Sequence, residues 1–230
     1  MCFIPFVFQE TFTSNSRLVN SQFSILNSQF SLYICIMNYL AHIFLSCQDE
    51  NLLIGNFIAD SIRNKEVATY SEEIQKGIVL HRKIDSYTDT HPIVKQSTRR
   101  LYPNHGKYAP VVIDILFDYI LSHNWEKYST ESLALFSKRM YWILEQRIAD
   151  LPVKLQQRVP SMIKHDWLMN YGKEEGLRYV FERMEKRAKF PNNFDKAVDD
   201  LLREYDLYDQ EFNQFFPEVL LMVNEFCGCG

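Results

Sequence analysis

The stretch GIVLHRKIDSYTDTHP, from Gly77 to Pro92, is the most informative part of this 230-residue chain. Its aliphatic residues have the spacing of a helix with one buried side. The polar residues His81, Asp85 and Asp89 recur at every fourth position. Positions i, i+4 and i+8 lie on one face of a helix, one turn apart. The pattern predicts a helix that carries an imidazole and two carboxylates in a row beside its apolar side.

The composition, with few Gly and Pro residues to interrupt long segments, predicts an all-α fold. The chain is 47% apolar and 23% charged, with only 7 Gly and 8 Pro, which is typical of a globular protein rich in helices. No run shows the sustained alternation of a strand. We expect a single multi-helix bundle over residues 37–224, large enough to bury a core. The predicted helices cover 38–46, 51–64, 70–88, 92–101, 109–125, 131–149, 152–171 and 173–189, with one or two more before residue 224 and a break at Pro217.

Both ends of the chain differ from this bundle. Residues 1–36 repeat NSQFS at Asn20 and Asn27 without the apolar periodicity of a coiled coil. They also lack the features of a signal peptide and the roughly 18 apolar residues of a membrane span. We predict a non-native or disordered leader, with Met37 as the natural start. Residues 225–230 are predicted to be a flexible tail.

The five cysteines do not form the framework of a small disulfide-rich domain. Cys47 is isolated in the sequence, and the terminal Cys227-Gly-Cys229 has no second pair nearby. A soft metal could bind this Cys-x-Cys motif, but a frayed terminus is the simpler interpretation. We expect a reduced, cytoplasmic protein.

A second helix carries acids among aliphatic residues. In DILFDYILSHNW, Asp114 and Asp118 stand one turn apart. Asp60 closes the apolar segment GNFIAD, and His42 lies between Ala41 and Ile43 in another apolar segment. Burying carboxylates is costly unless a cation or a basic partner compensates. Several aspartates with a few imidazoles, and no cysteine, form a ligand set that suits Mn²⁺, with Mg²⁺ or Fe²⁺ as alternatives.

Each of these residues also has a structural interpretation. His42 could be a hydrogen-bonded core residue, Asp85 could pair with Arg82 or Lys83, and Asp89 could join a helix cap. It is the combination of His-x-x-x-Asp with Asp-x-x-x-Asp that favours a site. His123 follows Asp118 by five residues, so it reaches the same face only if that helix ends or bends near Ser122.

Charge is unevenly distributed along a chain whose formal net charge is −4, which argues against a general nucleic-acid binder. Between Lys76 and Lys107 there are seven basic residues against two aspartates. From Asp195 to Glu225 there are nine acids against two bases. The basic segment could attract an acidic partner, or it could be an ordinary solvated surface.

The segments MNYLAHIFLS, LLIGNFIAD, GIVLHRKIDSYTDTHP and DILFDYILSHNW resemble, in order and spacing, the acyl-carrier-protein phosphodiesterase family. The resemblance continues through WLMNY, from Trp167 to Tyr171, and FNQFFPEVL, and therefore covers residues 37–220. It implies a manganese-dependent helical hydrolase similar to the HD phosphohydrolases. The implied reaction removes 4′-phosphopantetheine from the serine of holo acyl carrier protein. The adjacent His165-Asp166 pair lies outside the motifs and is interpreted as a coincidence.

The resemblance also implies roles for individual residues. Direct metal ligands and neighbouring residues are not separated at this stage. The expected metal-site residues are His81, Asp85, Asp114, Asp118 and Asp60. The expected catalytic residues are Asp60 and His81, the latter as a ligand or proton donor, and His42 and His123 also fall on matching positions.

The chemistry of the residues adds further candidates. Asp89 lies on the predicted face of His81 and Asp85. Arg82 could contact the phosphate through its planar guanidinium, or could equally be part of an ion pair. Acyl carrier proteins are small and acidic, so Lys83, Arg99 and Arg100 of the basic segment are expected to bind the carrier protein.

Two other functions are compatible with the same residues. The chain could be a metal-dependent phosphohydrolase that acts on a nucleotide or another small phosphoester, because such enzymes need no glycine-rich phosphate loop. It could also be a non-catalytic helical interaction protein whose acids are structural. Assays on holo carrier protein and on a nucleotide panel distinguish carrier-protein hydrolysis from hydrolysis of a small phosphoester. Metal analysis distinguishes both enzymes from the non-catalytic interaction protein.

Overall fold

The computed structural model describes residues 39–229. Within them the chain forms twelve α-helices and five short 3₁₀ segments, with no strand, which confirms the predicted all-α fold. The α-helices are α1 (Tyr39–Phe44), α2 (Glu50–Ile58), α3 (Glu72–Thr90), α4 (Pro92–His105), α5 (Ala109–His123), α6 (Trp125–Tyr128), α7 (Leu133–Gln146), α8 (Val153–Lys164), α9 (Trp167–Asn170), α10 (Glu174–Glu185), α11 (Ala197–Arg203) and α12 (Tyr205–Cys227). The predicted leader lies outside the described residues.

Helices α2 and α3 pack with their backbones in contact. A Cβ atom added to Gly55 would lie 2.1 Å from the carbonyl oxygen of Ile74, and one added to Gly77 would lie 2.5 Å from that of Leu52. Only glycine permits this approach, because any side chain would force the helices apart. The contact brings Asn56, which follows Gly55, close to the imidazole of α3.

Helix α1 is held by side chains that are distant in sequence. Asp118 on α5 accepts hydrogen bonds from the backbone N–H groups of Leu40 at 3.1 Å and Ala41 at 3.0 Å. These N–H groups belong to the first turn of α1, where no intrahelical carbonyl is available. The carboxylate also lies at the positive end of the helix dipole. Asp118 therefore fixes α1, and with it His42 in the last turn of α1.

Proline affects the helices less than the sequence predicts. Pro217 lies inside α12 and Pro103 inside α4, so both helices continue where a break was expected. Proline removes one helical hydrogen bond. In α12 this loss is offset by burial on both sides of Pro217, where Phe216 is 2% exposed and Val219 is 1% exposed. The predicted helix over 152–171 is interrupted instead, because Asp166 adopts a left-handed conformation with φ of 45°.

The C-terminal end is more ordered than predicted. Helix α12 extends through Cys227, and Gly228 at φ of 68° caps it in the left-handed conformation that favours glycine. Cys229 then forms a disulfide with Cys47, 182 residues earlier. Cys47 is therefore not isolated in the structure, and residues 225–227 of the predicted tail over 225–230 belong to α12. Within the described residues, no helix is long and apolar enough to cross a membrane.

Candidate functional site

Two imidazoles share one amide at the centre of the bundle. Asn56 Oδ1 lies 2.9 Å from His42 Nδ1 and 3.0 Å from His81 Nδ1. The Asn56 amide nitrogen donates to the carbonyl oxygen of His42 at 2.7 Å and to Ser46 Oγ at 3.2 Å. Because the amide nitrogen is used in this way, its oxygen is the atom that accepts from both rings. Each ring therefore carries a hydrogen on Nδ1, and the two rings stack with centroids 4.1 Å apart.

The other ring nitrogens face carboxylates. His81 Nε2 lies 3.1 Å from Asp60 Oδ1 and 3.2 Å from Asp85 Oδ2. His42 Nε2 lies 3.3 Å from the second oxygen of Asp85. The imidazole side chains are only 7% and 6% exposed, whereas Asp60 is 25% and Asp85 44% exposed. The site is thus open to solvent on the carboxylate side.

This arrangement fits a divalent cation. Two ligands that each lie about 2.1 Å from a cation and subtend a right angle are about 3 Å apart, close to the separations between the ring nitrogens and the carboxylate oxygens. His81 Nε2 is also buried without a hydrogen bond of good geometry, although two carboxylates are near. His42, His81 and Asp85 offer ligand atoms that all lie within 4.8 Å of one another. Fixing imidazoles through Nδ1 is the usual outer support of metal-binding histidines.

Further carboxylates surround the cluster and have perturbed pKa values. Burial, followed by the charges of Asp89, Asp85, Asp118 and Asp60, raises the pKa of Asp114 well above its usual value. Asp89 is exposed at the surface, but loss of water around its carboxylate and then the Asp85 charge raise its pKa to about 6. Such carboxylates repel one another unless a cation or a proton intervenes.

Without a cation, a proton on His81 partly balances these charges. Burial disfavours the imidazolium, but Asp85 and Asp60 outweigh it and raise the pKa of His81 to about 10. For Asp85, loss of water around the carboxylate opposes ionisation, but the charge of His81 and the hydrogen bonds from His42 and His81 together outweigh it, so its pKa is lowered. A bound metal would have to displace the His81 proton.

The four groups of the cluster come from three predicted segments. The sequence predicts His81, Asp85 and Asp60, which meet in the structure, and His42, which joins them from α1. Asp118 instead caps α1, and burial raises its pKa to about 7 although the N–H groups of Ala41 and Leu40 lower it. In the structure, Asp118 holds α1 and thereby positions His42. Metal coordination by Asp118 stays a prediction.

Two other predicted residues make contacts outside the cluster. Helix α5 ends at His123, whose Nδ1 lies 3.0 Å from the carbonyl oxygen of Tyr119 and whose ring packs on Tyr119 at 4.1 Å. These contacts lie outside the cluster, and a role for His123 in the site stays a prediction. The Arg82 guanidinium donates to Asn64 Oδ1 at 2.8 Å and is exposed. Its role as a phosphate contact stays a prediction.

The predicted carrier-binding residues are dispersed. Arg100 forms hydrogen bonds with both carboxylate oxygens of Glu211, at 2.9 and 2.7 Å, and also pairs with Glu204 at 3.2 Å. It thereby joins α4 to α12, and its pairing argues against the predicted partner-binding role. The Lys83 ammonium lies 4.8 Å from the centre of the Phe226 ring, and Arg99 is exposed on α4.

Sequence reasoning missed Asn56 and Ser46. A carboxamide in the otherwise apolar helix LLIGNFI was a usable signal, because a buried amide must find several hydrogen-bond partners. Its partners could not be derived, since they come from α1 and α3. The literal His165-Asp166 pair does not join the cluster: Asp166 Oδ1 accepts from the Tyr141 hydroxyl at 3.0 Å.

Residues 37–219 match the family model described as acyl carrier protein phosphodiesterase. A protein from Photorhabdus laumondii with that name is 31% identical over 185 residues, which cover 80% of this chain and 93% of the relative. One from Yersinia enterocolitica is 29% identical over 190 residues, 82% of this chain and 98% of the relative. No solved structure matches the chain. The match over most of its length shows that the chain belongs to the acyl carrier protein phosphodiesterase family.

Proposed function

We propose that this protein hydrolyses the phosphodiester that links 4′-phosphopantetheine to the serine of holo acyl carrier protein, and that it needs a divalent cation, Mn²⁺ first, to do so. The relatives are named for a phosphodiesterase activity on acyl carrier protein. The observation that carries the proposal is the pair of imidazoles, locked by Asn56, whose Nε2 atoms face Asp85 and Asp60.

His42, His81, Asp85 and Asp60 would hold the cation. When bound, it would neutralise a phosphate oxygen and lower the pKa of a water molecule, which becomes the nucleophile. The buried imidazoles provide a fixed floor, because both rings are held by one amide. The exposed edges of Asp60 and Asp85 leave one side accessible to an anionic diester, which the surrounding carboxylates would repel without a cation.

Proton delivery to the departing serine oxygen needs a separate group. His81 has its Nδ1 committed to Asn56 and its Nε2 facing carboxylates, so a holding role suits it better than a proton-donating role. Asp89 lies one turn beyond Asp85 on α3, and its pKa is raised to about 6. A carboxyl with a pKa in that range can both hold and release a proton near neutral pH. Asp89 is therefore the proposed proton donor.

Mass spectrometry of holo acyl carrier protein incubated with the chelated enzyme, with and without added Mn²⁺, tests the proposal. We expect conversion to the apo form and release of 4′-phosphopantetheine only when the metal is present. Turnover of a nucleotide panel without turnover of carrier protein would support the small-phosphoester alternative. Absence of both activities, together with absence of metal binding, would support a non-catalytic interaction protein.

The proposed reaction belongs in the cytoplasm, where we expect the carrier protein substrate to be found. In that reducing compartment we expect the Cys47–Cys229 bond to open. The cation site does not depend on this bond, because none of its ligands or its supporting amide is a cysteine.

A further inference from the structure

A groove with strong positive charge lies between α8 and α10, with α9 at one end. Its volume is about 740 Å³. The basic residues that line it are Lys154, Arg158, Lys173, Arg183 and Arg187, and Glu175 is the only acid among the lining residues. This is an unusual charge balance in a chain whose net charge is −4. Sequence analysis did not single out the groove, since its basic residues are spread over 34 positions of the chain between helices of mixed charge.

The groove bases differ from two neighbouring bases, Arg178 on α10 and Lys186 directly after it. Arg178 pairs with Asp199 at 2.7 Å, and Lys186 pairs with Glu182 at 2.6 Å. Within residues 39–229, no carboxylate lies within 4 Å of the charged nitrogens of any of the five groove bases. Their charge is therefore available to a partner, whereas the charges of Arg178 and Lys186 are already balanced.

The groove also has the aromatic groups of a binding surface. Trp167 and Tyr179 line it, and Tyr179 is 53% exposed. The Arg183 guanidinium lies 5.5 Å from the centre of the Tyr179 ring and donates to its hydroxyl at 2.9 Å. Tyr, Trp and Arg are the side chains most enriched at the energetic centres of protein interfaces.

One residue connects the groove to the proposed active site. Tyr171 lines the groove, is buried, and its hydroxyl lies 3.5 Å from the backbone nitrogen of Tyr39, the first residue of α1. After burial, the charge of Asp118 is the next cause of the raised pKa of Tyr171. Helix α1 rises about 1.5 Å per residue, so His42 stands only about one turn beyond that contact.

Building on the function proposed above, we propose that this groove is the docking surface for the acidic carrier protein. Opposite charge steers an acidic protein to the groove, and the exposed aromatic residue provides contact area. Docking there places the partner beside the helix that carries His42. This location differs from the one predicted from the sequence, the segment between Lys76 and Lys107. There, Arg100 is already paired with Glu211 and Glu204.

The test compares two charge reversals with the same change in net charge. The groove variant is Arg158→Glu with Arg183→Glu, one residue on each wall. The control is Arg178→Glu with Lys186→Glu, two nearby bases that do not line the groove and are already paired with carboxylates. Calorimetry measures the affinity of each protein for apo carrier protein, the product, so that binding does not require turnover. Melting temperatures check that the variants fold, and Arg158→Gln with Arg183→Gln replaces the groove variant if it does not.

We expect the groove reversal to weaken binding by at least about tenfold at low salt, and the control by less than about twofold. Salt should reduce the difference, because exposed charges are screened. Equal affinities of the groove variant and the wild type, equal weakening in both variants, or no binding by the wild type would each overturn the docking surface. Groove-dependent binding without any release of phosphopantetheine would instead refute the proposed reaction and leave the docking surface standing.

Discussion

Two clusters in this molecule pair a buried histidine with aspartate, and they differ in their charge balance. Around Asp200, His105 Nε2 lies at 2.8 Å, Asn104 donates to both carboxylate oxygens, and Arg203 adds a further contact. Although burial opposes ionisation, these donors lower the pKa of Asp200. One carboxylate there has several donors. This is the pattern of a structural hydrogen-bond network.

The cluster around His81 instead has more carboxylates than hydrogen-bond donors. Two carboxylates face one imidazole nitrogen, and Asp114 nearby has a raised pKa because of burial and four other acids. A His–Asp contact alone therefore does not identify a metal site. The excess of carboxylates over donors, with imidazoles held from behind by an amide, is what supports the cation site proposed above.

The largest expected effect is that of Asp85→Asn on activity. Asp85 faces both imidazoles, so Asp85→Asn removes the proposed ligand that contacts both of them. We expect turnover of holo carrier protein to fall about a thousandfold, near the upper end for removal of one preorganised polar group. Steady-state kinetics at saturating Mn²⁺ measure the effect, and helical circular dichroism checks the fold. Turnover within about threefold of wild type would remove Asp85 from the site.

Asp200→Asn should have the converse effect. The Asp200 side chain is 5% exposed and is held by donors from α4 and α11. Removing one partner of a buried charged network destabilises a protein by about 3–5 kcal/mol. We expect denaturant unfolding to show a loss of about 3 kcal/mol, while the turnover of the folded fraction is unchanged. A stable but inactive Asp200→Asn protein would break the distinction between the two clusters.

Asn56→Leu isolates the support of the imidazoles. Loss of the amide releases both Nδ1 atoms, which should weaken Mn²⁺ binding by about 10–100-fold. Ser46→Ala is the matched control, because it removes only one acceptor of the Asn56 amide and leaves its contacts with the rings. Titration of the two chelated variants with Mn²⁺ makes the comparison. Equal affinities in both would mean that the amide does not position the ligands.

The smallest expected effect concerns pH. Asp114 has a folded-state pKa above its unfolded value, so the native state binds more protons than the unfolded state between those two values. The stability of the metal-free protein should therefore fall as pH rises above about 4, the unfolded pKa of an aspartate. Asp114→Asn should reduce that fall and raise the metal-free melting temperature by a few degrees at pH 8. Melting curves from pH 5 to pH 8 after chelation, with wild type alongside, test this. A lower melting temperature for metal-free Asp114→Asn than for metal-free wild type at pH 8 would contradict an excess of negative charge around Asp114.

Local patterns predicted the parts of the site that depend on one helix. His81 and Asp85 are four residues apart on α3, so their shared face follows from helix geometry. That His42 joins the site could be seen only in the structure, because Asp118 and Tyr171 position α1 from distant parts of the chain. Sequence periodicity cannot supply such contacts.

Long-range pairing also explains the main errors. Arg100 looked available for a partner, but its acid, Glu211, lies 111 residues away on α12. The Cys47–Cys229 bond spans 182 residues and depends on the turn at Gly228. The all-α prediction was robust because it rested on many segments at once. Single helix ends were not, as the continuous helix through Pro217 shows.

The central claim is that His42, His81, Asp85 and Asp60 form one divalent-cation site. Its most direct test is titration calorimetry of the chelated protein with Mn²⁺ at pH 8, in buffers of different ionisation enthalpy. Because Asp85 and Asp60 raise the pKa of His81 to about 10, we predict saturable binding with release of about one proton. We predict that His81→Gln removes both the binding and the proton release. Absence of saturable Mn²⁺ binding in the wild type, or identical binding in His81→Gln, would contradict the claim.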